Sequence, residues 1–170
     1  MTRTSFTMRE LRDAFGLFAT GVTIITATRP DGSPFGMTAN SFTSVSLEPP
    51  LMLWCMAANS SGVAAFAPAA PFSVYMLAHG QRDLALRFAR RSGEKFDGNP
   101  QLGAALCRLD CRVYALHPAG DHLIVVGEVT GIDMQPGMPL AFHGGRFGSF
   151  RADRGVGKVD VWEGVEDHWY

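Results

Sequence analysis

The chain has 170 residues, of which 46% are hydrophobic and 18% are charged, and its formal net charge at pH 7 is −1. A chain of this length can bury a hydrophobic core without disulfides or metals, and its shortage of charged residues favours a homodimer. The balanced charge argues against nucleic acid as a partner. No apolar run is long enough to span a membrane, and the charged N-terminus lacks the features of a signal peptide, so we expect a cytoplasmic protein.

The first third of the chain is predicted to form a helix and a β-hairpin. Thr7 and Glu10 make a capping box, and apolar residues at helical spacing follow until Gly21 stops the pattern. A β-branched run over residues 22–28 then leads into the turn residues 30–32, which reverse the chain into a second strand.

A hydroxyl-rich segment over residues 36–50 is the most informative stretch of the sequence. Within nine residues it carries the uncharged hydrogen-bonding side chains of Thr38, Asn40, Ser41, Thr43, Ser44 and Ser46. Such side chains suit a large neutral heterocycle with a hydroxylated tail better than they suit a metal ion. Composition alone leaves a second interpretation open, an edge strand with solvated hydroxyls.

The middle of the chain is predicted to alternate between strands and short helices. The unbroken apolar residues 51–56 predict a central strand that is buried on both faces. A short helix over residues 63–67, a strand over residues 72–77 and a helix over residues 83–91 follow.

The second half of the chain is predicted to form another hairpin. Residues 106–116 alternate apolar and polar side chains, which is typical of a half-exposed strand, and the turn at 118–121 leads into its partner over 122–129. The succession of strands without regular helices between them predicts a mainly β domain, a small antiparallel β-barrel with short helices.

Several common enzyme motifs are absent from the sequence. It contains neither the GxGxxG nor the GxxxxGK[ST] nucleotide-binding motif, and neither HExxH nor GxSxG. Cys55, Cys107 and Cys111 fit no zinc or redox spacing, so we expect reduced, mostly buried thiols and no metal site. Asp121 and His122 are adjacent, and on a strand their side chains would point to opposite faces, which argues against a hydrolase relay.

Four segments give the chain a resemblance to a known family. Residues 18–26, the hydroxyl-rich segment, Gly120-Asp121-His122 and Gly145-Arg146-Phe147 occur in the order found in the flavin reductase family, so that the likeness covers about residues 8–150. The resemblance implies a homodimeric split antiparallel β-barrel over residues 1–150 that binds FMN or FAD near the subunit interface. It also implies NADH or NADPH as hydride donor, without a Rossmann fold. We expect residues 151–170 to form a C-terminal arm that docks on the partner subunit.

The resemblance also implies the site residues. The cofactor-binding set is Thr38, Ala39, Asn40, Ser41, Ser44, Val45, Cys55, Ala57, Ser60, Ser61, Phe88, Ala89 and Phe147. His122 would be the catalytic residue, facing the nicotinamide and helping to place it. Two positions depart from the family pattern: Phe147 stands where many relatives carry Tyr, and Gly62 stands where a Thr is common. For Arg87, Arg90 and Arg91, phosphate binding and a solvated helix end both stay open.

The function predicted from the sequence is an NAD(P)H-dependent flavin reductase that supplies reduced flavin to a partner flavin-dependent oxygenase. The first alternative is a non-catalytic FMN-binding flavoprotein of the same fold, which would carry or store electrons. An oxidase of the pyridoxine phosphate type ranks last, because it would need a cationic pocket for the phosphate of its substrate.

Overall fold

The computed structural model describes residues 4–91, 93–98 and 100–151. Within them, ten strands accompany two α-helices, α1 (Met8–Gly16) and α2 (Arg82–Ala89). The first five strands are β1 (Thr20–Gly21), β2 (Thr23–Thr28), β3 (Pro34–Ala39), β4 (Thr43–Leu47) and β5 (Pro50–Ala57). The other five are β6 (Pro71–Met76), β7 (Cys107–Ala119), β8 (His122–Met134), β9 (Leu140–His143) and β10 (Arg146–Ser149).

The strands form two sheets in which every pairing is antiparallel. The larger sheet has the order β3-β2-β6-β7-β8-β5-β4, and the smaller has the order β1-β9-β10. The predicted hairpins β2–β3 and β7–β8 are both confirmed. Local turn signals identified them, since Gly32 and Gly120 adopt the positive φ values, 82° and 62°, that their turns require.

Some predictions for single elements were wrong or incomplete. The N-terminal helix ends at Gly16, because residues 20–21 pair with β9 as a short strand. β5 has one buried face, with Met52, Trp54 and Met56 in the core, while the side chains on its other face are half-buried. The predicted helix at 63–67 is only a 3-10 turn over Val63–Ala65.

The hydroxyl-rich segment divides between two strands at opposite edges of the larger sheet. Its first residues complete β3, and its later residues form β4. The β4 part is an edge strand of this sheet, and its Thr43, Ser44 and Val45 are exposed in the single chain.

Two hydrophobic clusters hold the fold together. In the larger one, Phe66 packs edge-on against Phe35, Trp54 and Phe72, with ring centroids 5.8, 5.1 and 5.7 Å away. In the smaller one, Phe88 of α2 is buried with residues of β2 and β9, so that α2 is fixed against both sheets. This second cluster positions the α2 end of the site described below.

The N-terminal helix α1 has its predicted cap but buries none of its residues. The Glu10 N–H donates to Thr7 Oγ1 at 3.2 Å, and the Thr7 N–H donates to Glu10 Oε2 at 2.8 Å, which completes the capping box. Large apolar side chains in and beside this helix are exposed, namely Phe6, Met8, Phe15, Leu17 and Phe18.

The cysteines are free thiols, and burial raises the pKa of each, that of Cys111 to about 12. In the described ranges there is no group of His, Cys, Asp and Glu that could hold a metal ion. None of the described helices is long and apolar enough to cross a membrane. The predicted C-terminal arm lies outside the described residues, apart from Arg151.

Candidate functional site

A cleft of about 420 Å³ lies between β3, the loop after β5 and the C-terminal end of α2. We call it the first cleft. Six of the predicted cofactor-binding residues line it together: Thr38, Ala57, Ser60, Ser61, Phe88 and Ala89. Its remaining lining residues are Phe35, Met37, Asn59, Arg90, Arg91 and Lys95. These residues are up to 60 positions apart in the sequence, and the sheet brings them to one place.

Close packing of α2 on β3 forms one wall of the first cleft. Thr38 Oγ1 donates to the Ala85 carbonyl at 2.6 Å, which ties the strand to the helix. A Cβ on Gly36 would lie 2.5 Å from the ring of Phe88, so only glycine allows this approach. The Thr38 hydroxyl proton is thereby used within the protein, and its oxygen remains able to accept.

The opposite wall is the loop over residues 58–62, which several hydrogen bonds hold. The Gly62 N–H donates to Ser60 Oγ at 3.2 Å, and Arg29 Nε donates to the Ser61 carbonyl at 3.4 Å. Gly62 is the departure from the family pattern noted in the sequence. A Cβ there would lie 2.2 Å from the Phe35 ring, so the space that a Thr side chain would need is filled by Phe35.

Cations form part of the lining of the first cleft. Arg90, Arg91 and Lys95 line it, and none of the described residues that line it has a carboxylate. Lys95 Nζ donates to the carbonyls of Gly36 and Phe88 at 2.9 and 3.0 Å, and burial, together with the charge of Arg29, lowers its pKa. The serine hydroxyls and these cations form a donor set suited to phosphate.

The three arginines of α2 and its C-terminal end have different roles. Arg87 donates through Nη2 to the carbonyls of Glu94 and Asp97, and so holds the following loop. Arg90 and Arg91 instead line the first cleft beside the serine loop. The sequence left these roles open, because it gives no sign that the end of α2 meets the loop after β5.

Eight predicted site residues do not line the first cleft, and five of them lie on strands or turns away from it or in the core. Asn40, Ser44 and Val45 are exposed, and Ala39 is buried in the larger cluster. Phe147 of β10 stacks edge-on against Phe142 at 5.3 Å, within the smaller cluster. A flavin contact for each of these stays a prediction.

Two further predicted residues, Ser41 and Cys55, bond to each other. Ser41 Oγ accepts from the Cys55 N–H at 2.9 Å and donates to the Cys55 carbonyl at 3.3 Å. The Ser41 hydroxyl therefore ties the β3–β4 connection to β5, and a role in flavin binding stays a prediction for both residues.

His122 begins β8 and lies beside the first cleft through strand pairing. Its Cα pairs with that of Ala57, a lining residue, and the Asp121 carbonyl accepts from the Ala58 N–H at 2.9 Å. The Asp121 carboxylate also lies 2.7 Å from His122 Nδ1. The expectation that these two side chains point to opposite faces was wrong, because Asp121 lies in the turn before the strand begins.

The electrostatics of this pair follow from its exposure and its hydrogen bond. The bond to His122, followed by the charge of the imidazole, lowers the pKa of the Asp121 carboxyl. The Asp121 carboxylate engages Nδ1 of His122, so Nε2 is the ring nitrogen that stays available to a ligand. The pair is open to solvent, because the His122 side chain is 47% exposed and the Asp121 side chain is 93% exposed.

Comparison with known proteins identifies the family of the chain. The family pattern of the flavin reductase like domain matches residues 15–151. The FMN reductase (NADH) SmoA of Agrobacterium fabrum is 48% identical over 151 residues, which cover 84% of this chain and 86% of the relative. The reductase component of the flavin-dependent trigonelline monooxygenase of Acinetobacter baylyi is 40% identical over 82% of this chain, although the match covers 48% of that relative.

A solved structure has the same architecture. It is that of the Streptomyces globisporus NADH:FAD oxidoreductase SgcE6 in complex with NAD and FAD fragments, with a TM-score of 0.80 and 37% identity. The match covers 91% of this chain and 99% of that one, which confirms the predicted split-barrel fold. The chain therefore belongs to the flavin reductase-like family.

Proposed function

We infer that this chain is an NAD(P)H:flavin oxidoreductase that reduces FMN or FAD and delivers the reduced flavin to a partner monooxygenase. The observation that carries the inference is the first cleft, which combines uncharged hydroxyls, aromatic walls and a cationic end free of carboxylates among its described lining residues. A bound flavin supplies the two-electron chemistry through its N5 position. The protein needs to hold two rings together and to exclude competing reactions.

The residues of the first cleft divide between the two ends of a flavin. Ser60, Ser61 and Arg91 bind its phosphate, because hydroxyls and a guanidinium match the geometry of phosphate oxygens. Thr38 and Ala57 border its ribityl chain and ring. Replacing Thr38 with Val removes the 2.6 Å bond to α2 and an acceptor in the cleft, so flavin affinity should fall by about 1 kcal/mol.

His122 is the residue that places the nicotinamide. Its Nδ1 is held by Asp121, and strand pairing sets its Cα beside that of Ala57, which lines the first cleft. In this role it binds and orients the donor ring, and no proton transfer from the protein is needed. Replacing His122 with Ala should raise KM for the nicotinamide without changing the Kd of FMN.

A homodimer completes the site in this proposal. The exposed apolar side chains around α1 need cover, and Asn40, Ser44, Val45 and Phe147 lie outside the first cleft of their own chain. A second copy of the chain that covers these surfaces would bring such residues against the flavin. Light scattering coupled to gel filtration should give twice the 18.4 kDa chain mass, and a monomer would contradict this part of the proposal.

The test of the reductase activity is a set of steady-state assays. Purified protein should consume NADH or NADPH, followed at 340 nm, when FMN or FAD is added, and it should not oxidise pyridoxine 5′-phosphate. A yellow protein that keeps its flavin through gel filtration but ignores both nicotinamides would support the electron carrier instead. Absence of turnover in all four combinations would refute the proposal.

A further inference from the structure

A loop over residues 93–98 follows α2 and belongs to no helix or strand. One of its side chains, that of Lys95, is part of the lining of the first cleft. Because the loop has no strand partner to hold its main chain, its position depends on the side chains that bond to it. Those bonds therefore decide where Lys95 stands relative to a ligand in the first cleft.

Arg87 of α2 holds the main chain of this loop. The two hydrogens of its Nη2 are donated to the carbonyl of Glu94, at 2.8 Å, and to the carbonyl of Asp97. One of these carbonyls precedes Lys95 and the other follows it, so a single helical side chain fixes the loop on both sides of the lysine. Arg87 itself is not among the residues that line the first cleft. Its contacts therefore suit support of the loop and not contact with a ligand.

Lys95 connects the loop to the wall of the first cleft. Its Nζ donates to the Gly36 carbonyl of β3 at 2.9 Å and to the Phe88 carbonyl of α2 at 3.0 Å, which joins the strand and the helix that form this wall. Burial, followed by the charge of Arg29, lowers the pKa of the amine, so the charged form is disfavoured at this position. The connection therefore depends on a loop that is held firmly enough to offset this cost.

A contact between two aromatic rings completes the attachment of the loop. Phe96, the residue after Lys95, packs edge-on against Phe88, with ring centroids 5.2 Å apart. Phe88 is buried and lines the first cleft. Gly36 lies against both rings, since a Cβ there would be 2.5 Å from Phe88 and 2.8 Å from Phe96. A shift of the loop would therefore reach the wall of the first cleft through a charged contact and an aromatic one.

We propose that Arg87 is a positioning residue for flavin binding, which acts through Lys95 by fixing the loop over residues 93–98. The inference rests on the proposed function, because it concerns how the first cleft is kept ready for its flavin. A wall that is in place before the ligand arrives loses less conformational entropy on binding than a wall that must first be ordered. Removal of Arg87 therefore weakens flavin binding and leaves the hydride-transfer step at saturating flavin unchanged.

The first test measures the Kd of FMN by quenching of flavin fluorescence, and KM and kcat by steady-state kinetics. Arg87→Met keeps the apolar part of the side chain without its donors, and it should raise the Kd and the KM of FMN by about tenfold. At saturating FMN, kcat and the KM of NADH should change by less than about twofold. Arg87→Lys, which keeps a donating group, should recover part of the affinity. Arg12→Met, a change in α1 outside the first cleft, is the matched control and should leave every constant as in the wild type.

The second test is a double-mutant cycle, which determines whether Arg87 acts through Lys95. Lys95→Met alone should also raise the Kd of FMN by about tenfold, and the double variant should stay near that value, because both changes break the same series of contacts. Independent roles would multiply to an increase of about a hundredfold. Such an increase would overturn the proposal.

Thermal melts distinguish a role in flavin binding from a role in stability alone. A lower Tm for Arg87→Met together with the FMN Kd of the wild type would confine Arg87 to the fold and would contradict the proposal. An equal change in kcat and in both KM values would contradict it as well. If Arg87→Met does not fold, Arg87→Lys and Lys95→Met carry the same comparison. Failure of the wild type to bind either flavin would instead count against the reductase proposal itself.

Discussion

The contact between Gly62 and Phe35 leads to the sharpest prediction, because it joins the core to the candidate site. Gly62 has a φ of −90°, which any residue adopts, so a substitution there meets no backbone strain. The new Cβ would lie 2.2 Å from two atoms of the Phe35 ring, whereas ordinary contact begins at 3.4 Å. The ring must therefore move by about 1 Å, although Phe35 is only 5% exposed and packs against Phe66.

Gly62→Ala should lower the free energy of unfolding by about 1–3 kcal/mol, the usual cost of adding a methyl group to a packed core. It should also weaken flavin binding, since Phe35 lines the first cleft and the displaced ring changes its wall. Urea denaturation measures the first effect and fluorescence titration with FMN the second. Gly103→Ala is the control, because a Cβ there meets nothing within 4 Å.

A second substitution separates the clash from other effects of the methyl group. Phe35→Leu removes the ring atoms nearest to the new methyl, so in that background Gly62→Ala should cost less than about 1 kcal/mol. If Gly62→Ala is as stable as the wild type and binds FMN equally well, or costs the same in both backgrounds, the assignment of Gly62 to this contact is incorrect.

Three further predictions concern single hydrogen bonds. Ser41→Ala should cost about 1–2 kcal/mol of stability in urea denaturation, because it leaves both main-chain groups of Cys55 without their partner. Asp121→Asn should lower stability above about pH 5, and this loss should fade as pH falls below the ordinary Asp pKa of 3.8 and through the folded-state pKa, which His122 lowers; thermal melts across pH check this. Trp54→Phe should cost no more than about 2 kcal/mol, well below the usual Trp→Ala loss, because the buried indole N–H has no hydrogen-bond partner to lose.

The predictions from sequence succeeded where the signal is local. Three features depend only on neighbouring residues: the turn at residues 30–32, the capping box of Thr7 and the alternation that leads into β7. All three are present in the structure. Short strands such as β9 escaped prediction, because four residues carry too little periodicity to distinguish a strand from a loop.

The candidate site was predictable in its residue types but not in their bonds. A hydroxyl-rich run indicates a binding surface, yet the sequence does not say that Ser41 turns its hydroxyl to Cys55 while Thr38 turns its own to α2. Likewise the positive charge of the first cleft depends on the fold bringing Arg91 and Ser61, which are 30 positions apart, to the lining of one cleft. Such contacts arise from the tertiary fold, and the local sequence pattern does not predict them.

Phe35 connects the core with the candidate site, because the same ring packs in the core and lines the first cleft. It packs on Phe66 inside, it fills the space beside Gly62, and Arg29 lies over its outer face. A ligand that contacts this ring in the first cleft therefore restrains part of the core, and binding to the folded state alone raises stability. FMN should accordingly raise the melting temperature of the wild type. In Gly62→Ala this increment should shrink, because the displaced Phe35 ring changes the wall that the flavin contacts, whereas in Gly103→Ala it should stay as in the wild type.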